Sequence, residues 1–167
     1  MNKNIYYLFL WIILVLLQVF VFNNILLLGH INPYLYIVFV FFYPLKKERF
    51  LFLLLSFLLG LTIDVFSDSG GIHAFSILFI AFIRLFFIRL IFKKTELDYL
   101  LFKIQEEAFG KVFNYVVILT LTHHFILFTL ANFSFLNFTE TLINTLLSGI
   151  FTLILFFLGS YIFSKKL

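Results

Sequence analysis

The 167-residue chain has no cysteine, two prolines, one methionine and one tryptophan, and Asp, Glu, Lys and Arg together make up only 12% of it. Without cysteine there are no disulfides, thiolate metal sites or cysteine nucleophiles. Average soluble domains are about 25% charged, and half that charge cannot cover a globular surface, which excludes a soluble domain. A separate soluble module is excluded too, because the longest regularly charged run extends only from Lys93 to Val112. Lys and Arg are missing from three stretches, residues 23–32, 67–71 and 131–140. The Gly70-Gly71 pair has no lysine after it, so it is no phosphate loop. Neither a nucleophile–base constellation nor a metal-ligand spacing occurs. The expectation is a protein that is not an enzyme, with no cofactor and no metal. The net charge of +4 does not indicate nucleic acid, since the basic residues form short clusters of the kind that set membrane topology.

What the chain does contain is apolar: 63% of its residues are hydrophobic, 28 of them phenylalanine, and its mean hydropathy is +1.14. That is roughly 105 apolar residues, against about 20 for a spanning helix. Phenylalanine faces lipid as readily as leucine, so its abundance needs no cofactor box to explain it. The reading is an all-α integral membrane protein, one polytopic domain over 1–167, with six transmembrane helices at 5–28, 32–45, 50–66, 72–92, 112–130 and 141–163. The first span is too long for a signal peptide. The second is short, with about 13 residues or roughly 20 Å of helix from Pro33 to Leu45, and Pro44 falls where the next break occurs. Between spans four and five, Leu97, Leu100, Leu101, Ile104 and Ala108 recur at intervals of three and four, which predicts a short cytoplasmic amphipathic helix. Lys103 and Glu107 would pair across one of its turns. With six spans, all 12 Lys and Arg residues fall on one side, so both termini are expected in the cytoplasm.

Several polar residues stand out against this background. Asp64 lies near the outer end of span three, and an ionisable group at that depth is a functional candidate; it either caps the turn or pairs with His123 or His124 at similar depth in span five. Asp68 and Ser69 are expected to cap the start of span four. His123 and His124, adjacent on a helix, point about 100° apart and cannot share a metal as an i, i+4 pair could. Arg84, in the inner half of span four, is deep enough to need an internal acceptor. Thr141, Thr145, Ser148, Gly149, Thr152 and Gly159 form a small and polar stripe on span six, where another helix can approach closely.

The stretch from Gly60 to Ala74, Gly60-Leu61-Thr62-Ile63-Asp64-Val65-Phe66-Ser67-Asp68-Ser69-Gly70-Gly71-Ile72-His73-Ala74, resembles the signature of the rod shape-determining MreD family. Asn32-Pro33-Tyr34, Ala81-Phe82-Ile83-Arg84 and Thr122-His123-His124-Phe125 are similar to it as well, though Leu85 stands where the family usually has proline. The resemblance covers nearly the whole chain. It implies a bundle like that of the substrate-binding subunits of energy-coupling-factor transporters. It also implies a non-enzymatic scaffold of the cell-elongation complex, supporting cell shape and lateral peptidoglycan synthesis. The partners it implies are MreC, the MreB filament, and the peptidoglycan glycosyltransferase and transpeptidase, contacted directly or indirectly. The basic inner segments could also meet anionic membrane lipid. The alternative is a substrate-binding subunit of an energy-coupling-factor vitamin transporter, whose Ala-x-x-x-Ala-type motif is missing from span one. Asp64, Asp68, His73, Arg84, His123, His124, Thr145, Gly149 and Thr152 are the candidate interaction and packing residues.

Overall fold

The computed structural model describes residues 3–25, 27, 31–45, 49–93, 102–132 and 137–164. The regular elements among them are helical: α1 Lys3–Phe20, α2 Val38–Phe42, α3 Phe50–Ser67, α4 Ile72–Phe92, α5 Phe109–Asn132 and α6 Phe138–Ser164. Single 3-10 turns lie at Phe22–Asn24, Leu35–Ile37 and Ile104–Glu106. Apolar residues on nearly every face let these helices bury one side and still present hydrocarbon on the other. On α4, for example, Phe75, Phe79, Phe82 and Phe86 are exposed, whereas Ile77, Ile80, Ala81 and Ile88 are sealed.

Among the described residues, five helices are long and apolar enough to cross a membrane: Ile5–Asn24, Phe50–Ser67, Ile72–Phe92, Phe109–Asn132 and Phe138–Ile162. They match five of the six expected spans, with α5 and α6 starting three residues earlier than expected. The remaining segment, 32–45, is a 3-10 turn followed by the five-residue α2, too short to cross by itself. It stops where it does because the residue before a proline is pushed out of the helical region, and Tyr43, before Pro44, has φ −61° and ψ 133°. Tyr36, Ile37, Phe39 and Val40 have no exposed surface at all. This short piece is therefore the centre of the molecule, wrapped by the long helices.

Side-chain bridges give the helix directions. Trp11 Nε1 donates to the Leu55 carbonyl and Asn23 Nδ2 to Ser67 Oγ, so α1 and α3 run the same way. The chain between them consequently returns along the bundle, and residues 34–43 make that return. Tyr36 bonds His73 near the start of α4, and Tyr43 bonds Arg84, eleven residues further along it, a descent of about 16 Å at 1.5 Å per residue. Helices α3 and α4 are antiparallel, since Gly60 meets Ala74 and Arg49 reaches the Phe82 carbonyl. Tyr115 against Arg84 and Asn132 against Thr141 continue the alternation through α5 and α6.

The expected amphipathic helix lies partly outside the described residues, at 94–101. Within the described part the backbone forms only the turn at Ile104–Glu106, with extended residues on either side. Lys103 accordingly pairs with Glu106 and not across four residues with Glu107, because 3-10 geometry eclipses residues three apart.

Candidate functional site

The polar side chains inside the bundle converge on two kinds of partner: helix ends and the interior segment. Asp64 shows the first. Its carboxylate accepts from the backbone N–H of His73 at 3.0 Å and of Ala74 at 2.8 Å, and from the Ser69 hydroxyl. These two amides are the ones an N-cap side chain ordinarily serves. The N-cap position of α4 is Gly71, at φ 97° and with no side chain to offer, so the cap comes from the preceding helix. The negative charge faces the positive end of the α4 dipole. Of the two expected roles for Asp64, the structure shows the cap; its partners are two backbone amides and the Ser69 hydroxyl, not His123 or His124.

Gly60, one turn before Asp64, makes this cap possible. A Cβ at Gly60 would stand 2.5 Å from Ala74 Cα and 2.6 Å from both Ala74 N and His73 O, so only glycine lets the two backbones come this close. Asp68 does not cap α4. It is exposed and adopts the left-handed conformation (φ 50°) as the C-cap of α3, its N–H bonding the Asp64 carbonyl. Ser69 helps to hold the α4 cap indirectly, through its bond to the Asp64 carboxylate.

Arg84 is the opposite counterpart. It is 3% exposed, and Nη2 donates to the carbonyls of Tyr43 (2.6 Å) and Phe41 (3.3 Å), while Nε donates to Tyr115 Oη (3.2 Å). A cation on α4 thus satisfies the carbonyl end of α2, where the helix dipole is negative. The guanidinium also lies 5.1 Å from the centroid of the Phe52 ring, within cation–π range. This supplies the internal acceptor that its depth requires.

The upper end of the interior segment is held in the same manner. Gln18 Nε2 donates to the Pro33 carbonyl at 3.0 Å, and the Tyr34 N–H donates to Thr152 Oγ1 at 3.0 Å. Below it, the Tyr36 hydroxyl stands 3.0 Å from His73 Nδ1 and 2.8 Å from His123 Nε2. One phenol proton serves only one ring, so one imidazole accepts and the other donates. His124 Nδ1 lies 2.8 Å from the Thr120 carbonyl and must donate to it, and Nε2 faces Thr152 Oγ1 at 3.0 Å, a hydroxyl whose one proton is shared with the Ser148 carbonyl at 2.8 Å. Broken backbone survives at membrane depth only where protein groups replace the missing bonds, and Gln18, Thr152 and Arg84 do so here.

The nine candidates thus separate. Asp64, His73, Arg84, His123, His124 and Thr152 belong to this connected interior system, while Asp68 stands outside it. Thr145 and Gly149 are buried on the face of α6 that packs on α5, so the helix that approaches their stripe is α5 of the same chain. No group of three or more metal-ligating side chains clusters among the described residues. Sequence reasoning missed Tyr36, Gln18 and Tyr115 as members of the site. Gln18 alone carried a signal, as the one polar residue between Ile5 and Phe22 of an otherwise apolar span. Tyr36 was hidden among 28 phenylalanines and 8 tyrosines.

Together these features define an α-helical bundle with five helices fit to cross a membrane and an interior braced by polar contacts to the backbone. No protein-family profile, curated protein or solved structure matches the chain.

Proposed function

We propose that the chain is a non-enzymatic scaffold of the bacterial inner membrane, an MreD-like component of the cell-elongation complex. In this reading it holds MreC and, through it or directly, the MreB filament and the wall synthases. One observation carries the proposal. The residues on which the resemblance rests (Tyr34, Gly60, Asp64, His73, Ala74, Arg84 and His123) act together, fixing one interior segment and one helix start. Polar groups engaged in backbone bonds leave a rigid body whose outer helix faces are free to meet partner helices. The chain crosses six times, with 32–45 as the interior crossing, and both termini are cytoplasmic. The parallel course of α1 and α3 supports this, as does the one-sided placement of basic residues.

The test is co-purification of the tagged chain with MreC from detergent extracts, together with restoration of rod shape in cells lacking their own MreD-type protein. The expected result is a complex with the native chain and a weaker one with Asp64→Asn, which loses the charged cap of α4. Reproducible failure of the native chain to bind MreC, with a vitamin retained in its place, would turn the assignment to the transporter subunit.

A further inference from the structure

The Tyr36 hydroxyl joins two imidazoles that differ in their access to the surface. His73, the second residue of α4, follows the turn in which Asp68 and Gly70 are exposed, and it keeps 5% of its own surface open. Tyr36 and His123 keep none. His123 is therefore a titratable group that water does not reach, and its second ring nitrogen, Nδ1, is sealed and without a hydrogen-bond partner among the described residues. One turn back on the same face of α5, Thr120 Oγ1 is also sealed and unpartnered. A bound molecule would need room at these atoms, whereas a proton needs only a chain of hydrogen bonds. That chain is present: His73 Nδ1 lies 3.0 Å from Tyr36 Oη, which lies 2.8 Å from His123 Nε2. Both distances are those of formed hydrogen bonds.

We infer that His73, Tyr36 and His123 form a proton relay that makes His123 a proton-binding site fed from the start of α4. Each member can take a proton on one side and release one on the other. His73 Nδ1 is engaged by Tyr36, so the proton enters at Nε2 and makes that ring an imidazolium. The imidazolium releases its Nδ1 proton to Tyr36 Oη, and Tyr36 passes its own hydroxyl proton to His123 Nε2. His73 and Tyr36 end neutral, and His123 ends as the cation, with N–H groups at both ring nitrogens. Thr120 Oγ1 is the idle acceptor on the same helix face for the Nδ1 proton. The other groups that face the relay are the Asp64 carboxylate of α3, the Tyr34 phenol of the interior segment and the His124 ring of α5. From α1 and α6 the polar neighbours of this cluster are the uncharged Gln18 and Thr152. Asp64, bonded to the His73 backbone N–H at 3.0 Å, thus supplies the counter-charge for a proton on the relay. The relay is independent of the scaffold role and stands or falls separately from it.

The test is the rate at which each histidine ring N–H exchanges with water, measured by NMR on full-length, isotope-labelled protein and assigned from single His→Gln variants. His123 should exchange within about tenfold of the His73 rate although it has no surface of its own. His124 is equally sealed but bonds the Thr120 carbonyl and Thr152, off the relay. Its proton leaves only when the bundle opens, so it should exchange at least about tenfold more slowly than His123. Tyr36→Phe keeps the ring and removes the hydroxyl; it should slow His123 to the His124 rate and leave His73 unchanged. If that variant loosens the bundle, His124 speeds up, and His73→Gln then carries the test. An amide cannot take a proton at one atom and release one at another, so His73→Gln should slow His123 in the same way. Native His123 exchanging as slowly as His124 would overturn the relay. So would an unchanged His123 rate in either variant whose His124 rate stays native.

Discussion

Replacing Gly60 with alanine adds one carbon at the closest point between α3 and α4. That carbon would lie 2.5 Å from Ala74 Cα and 2.6 Å from Ala74 N and His73 O, all backbone atoms that cannot rotate away. Restoring an ordinary carbon contact of about 3.5 Å requires the helices to part by about 1 Å. The same movement stretches the Asp64 bonds to His73 N–H and Ala74 N–H, now 3.0 and 2.8 Å, toward about 4 Å, past hydrogen-bonding distance. Overpacking costs about 1–3 kcal/mol, and each charge-assisted bond contributes about 1.5–3 kcal/mol. Alanine is the better helix former by about 1 kcal/mol, which does not reverse the sign. Gly60→Ala should therefore destabilise the protein by at least about 3 kcal/mol, read as a fall in Tm of detergent-purified protein. The mechanism also predicts non-additivity: with the cap already lost, Asp64→Asn should cost much less in the Gly60→Ala background than in the native one. An unchanged or raised Tm for Gly60→Ala would refute the reasoning, and so would strict additivity with Asp64→Asn.

Gly149→Ala supplies the contrast, because its added carbon meets only the Cδ2 end of the Leu121 side chain, at 2.9 Å. That side chain can turn away, so stability should change by less than about 1 kcal/mol, measured in the same thermal assay. Arg84→Gln should cost about 3 kcal/mol by leaving the Phe41 and Tyr43 carbonyls without their cation. Arg84→Lys should recover less than half of that, since an ammonium cannot reproduce the planar fork that also reaches Tyr115. Full recovery by lysine would show that charge alone matters. Tyr36→Phe removes the hydroxyl between His73 and His123 and should cost about 1–3 kcal/mol. Proton NMR of the imidazoles should then show both rings shifted, whereas a change at only one would break the proposed bridge.

The long helices were legible because lipid imposes an unbroken apolar length, and α3 and α4 fall within a residue of their expected bounds. Asp64 was legible as an anomaly, but its partner was not. A carboxylate inside an apolar helix shows only that something must satisfy it, and the backbone amides that do so bear no mark in the sequence. The expectation that Asp68 and Ser69 would cap α4 followed local capping rules. It missed that Gly60 brings the carboxylate of another helix closer than any local side chain.

The segment at 32–45 presents the same difficulty in a larger form. Its short run from Pro33 to Leu45 looked like a deficient span because length was compared with a lipid core of about 30 Å. The comparison changes once the segment is surrounded by protein, where a broken helix requires only a partner for each exposed backbone group. Those partners are distributed along the chain as Gln18, Arg84 and Thr152, one on each of three other helices. Gln18 and Arg84 appeared in the sequence as polar intrusions into apolar helices, and Thr152 as one member of a small and polar stripe. They become intelligible together only when the unpaired ends of the interior segment are placed among them, so the short second segment and the scattered polar residues are one structural feature.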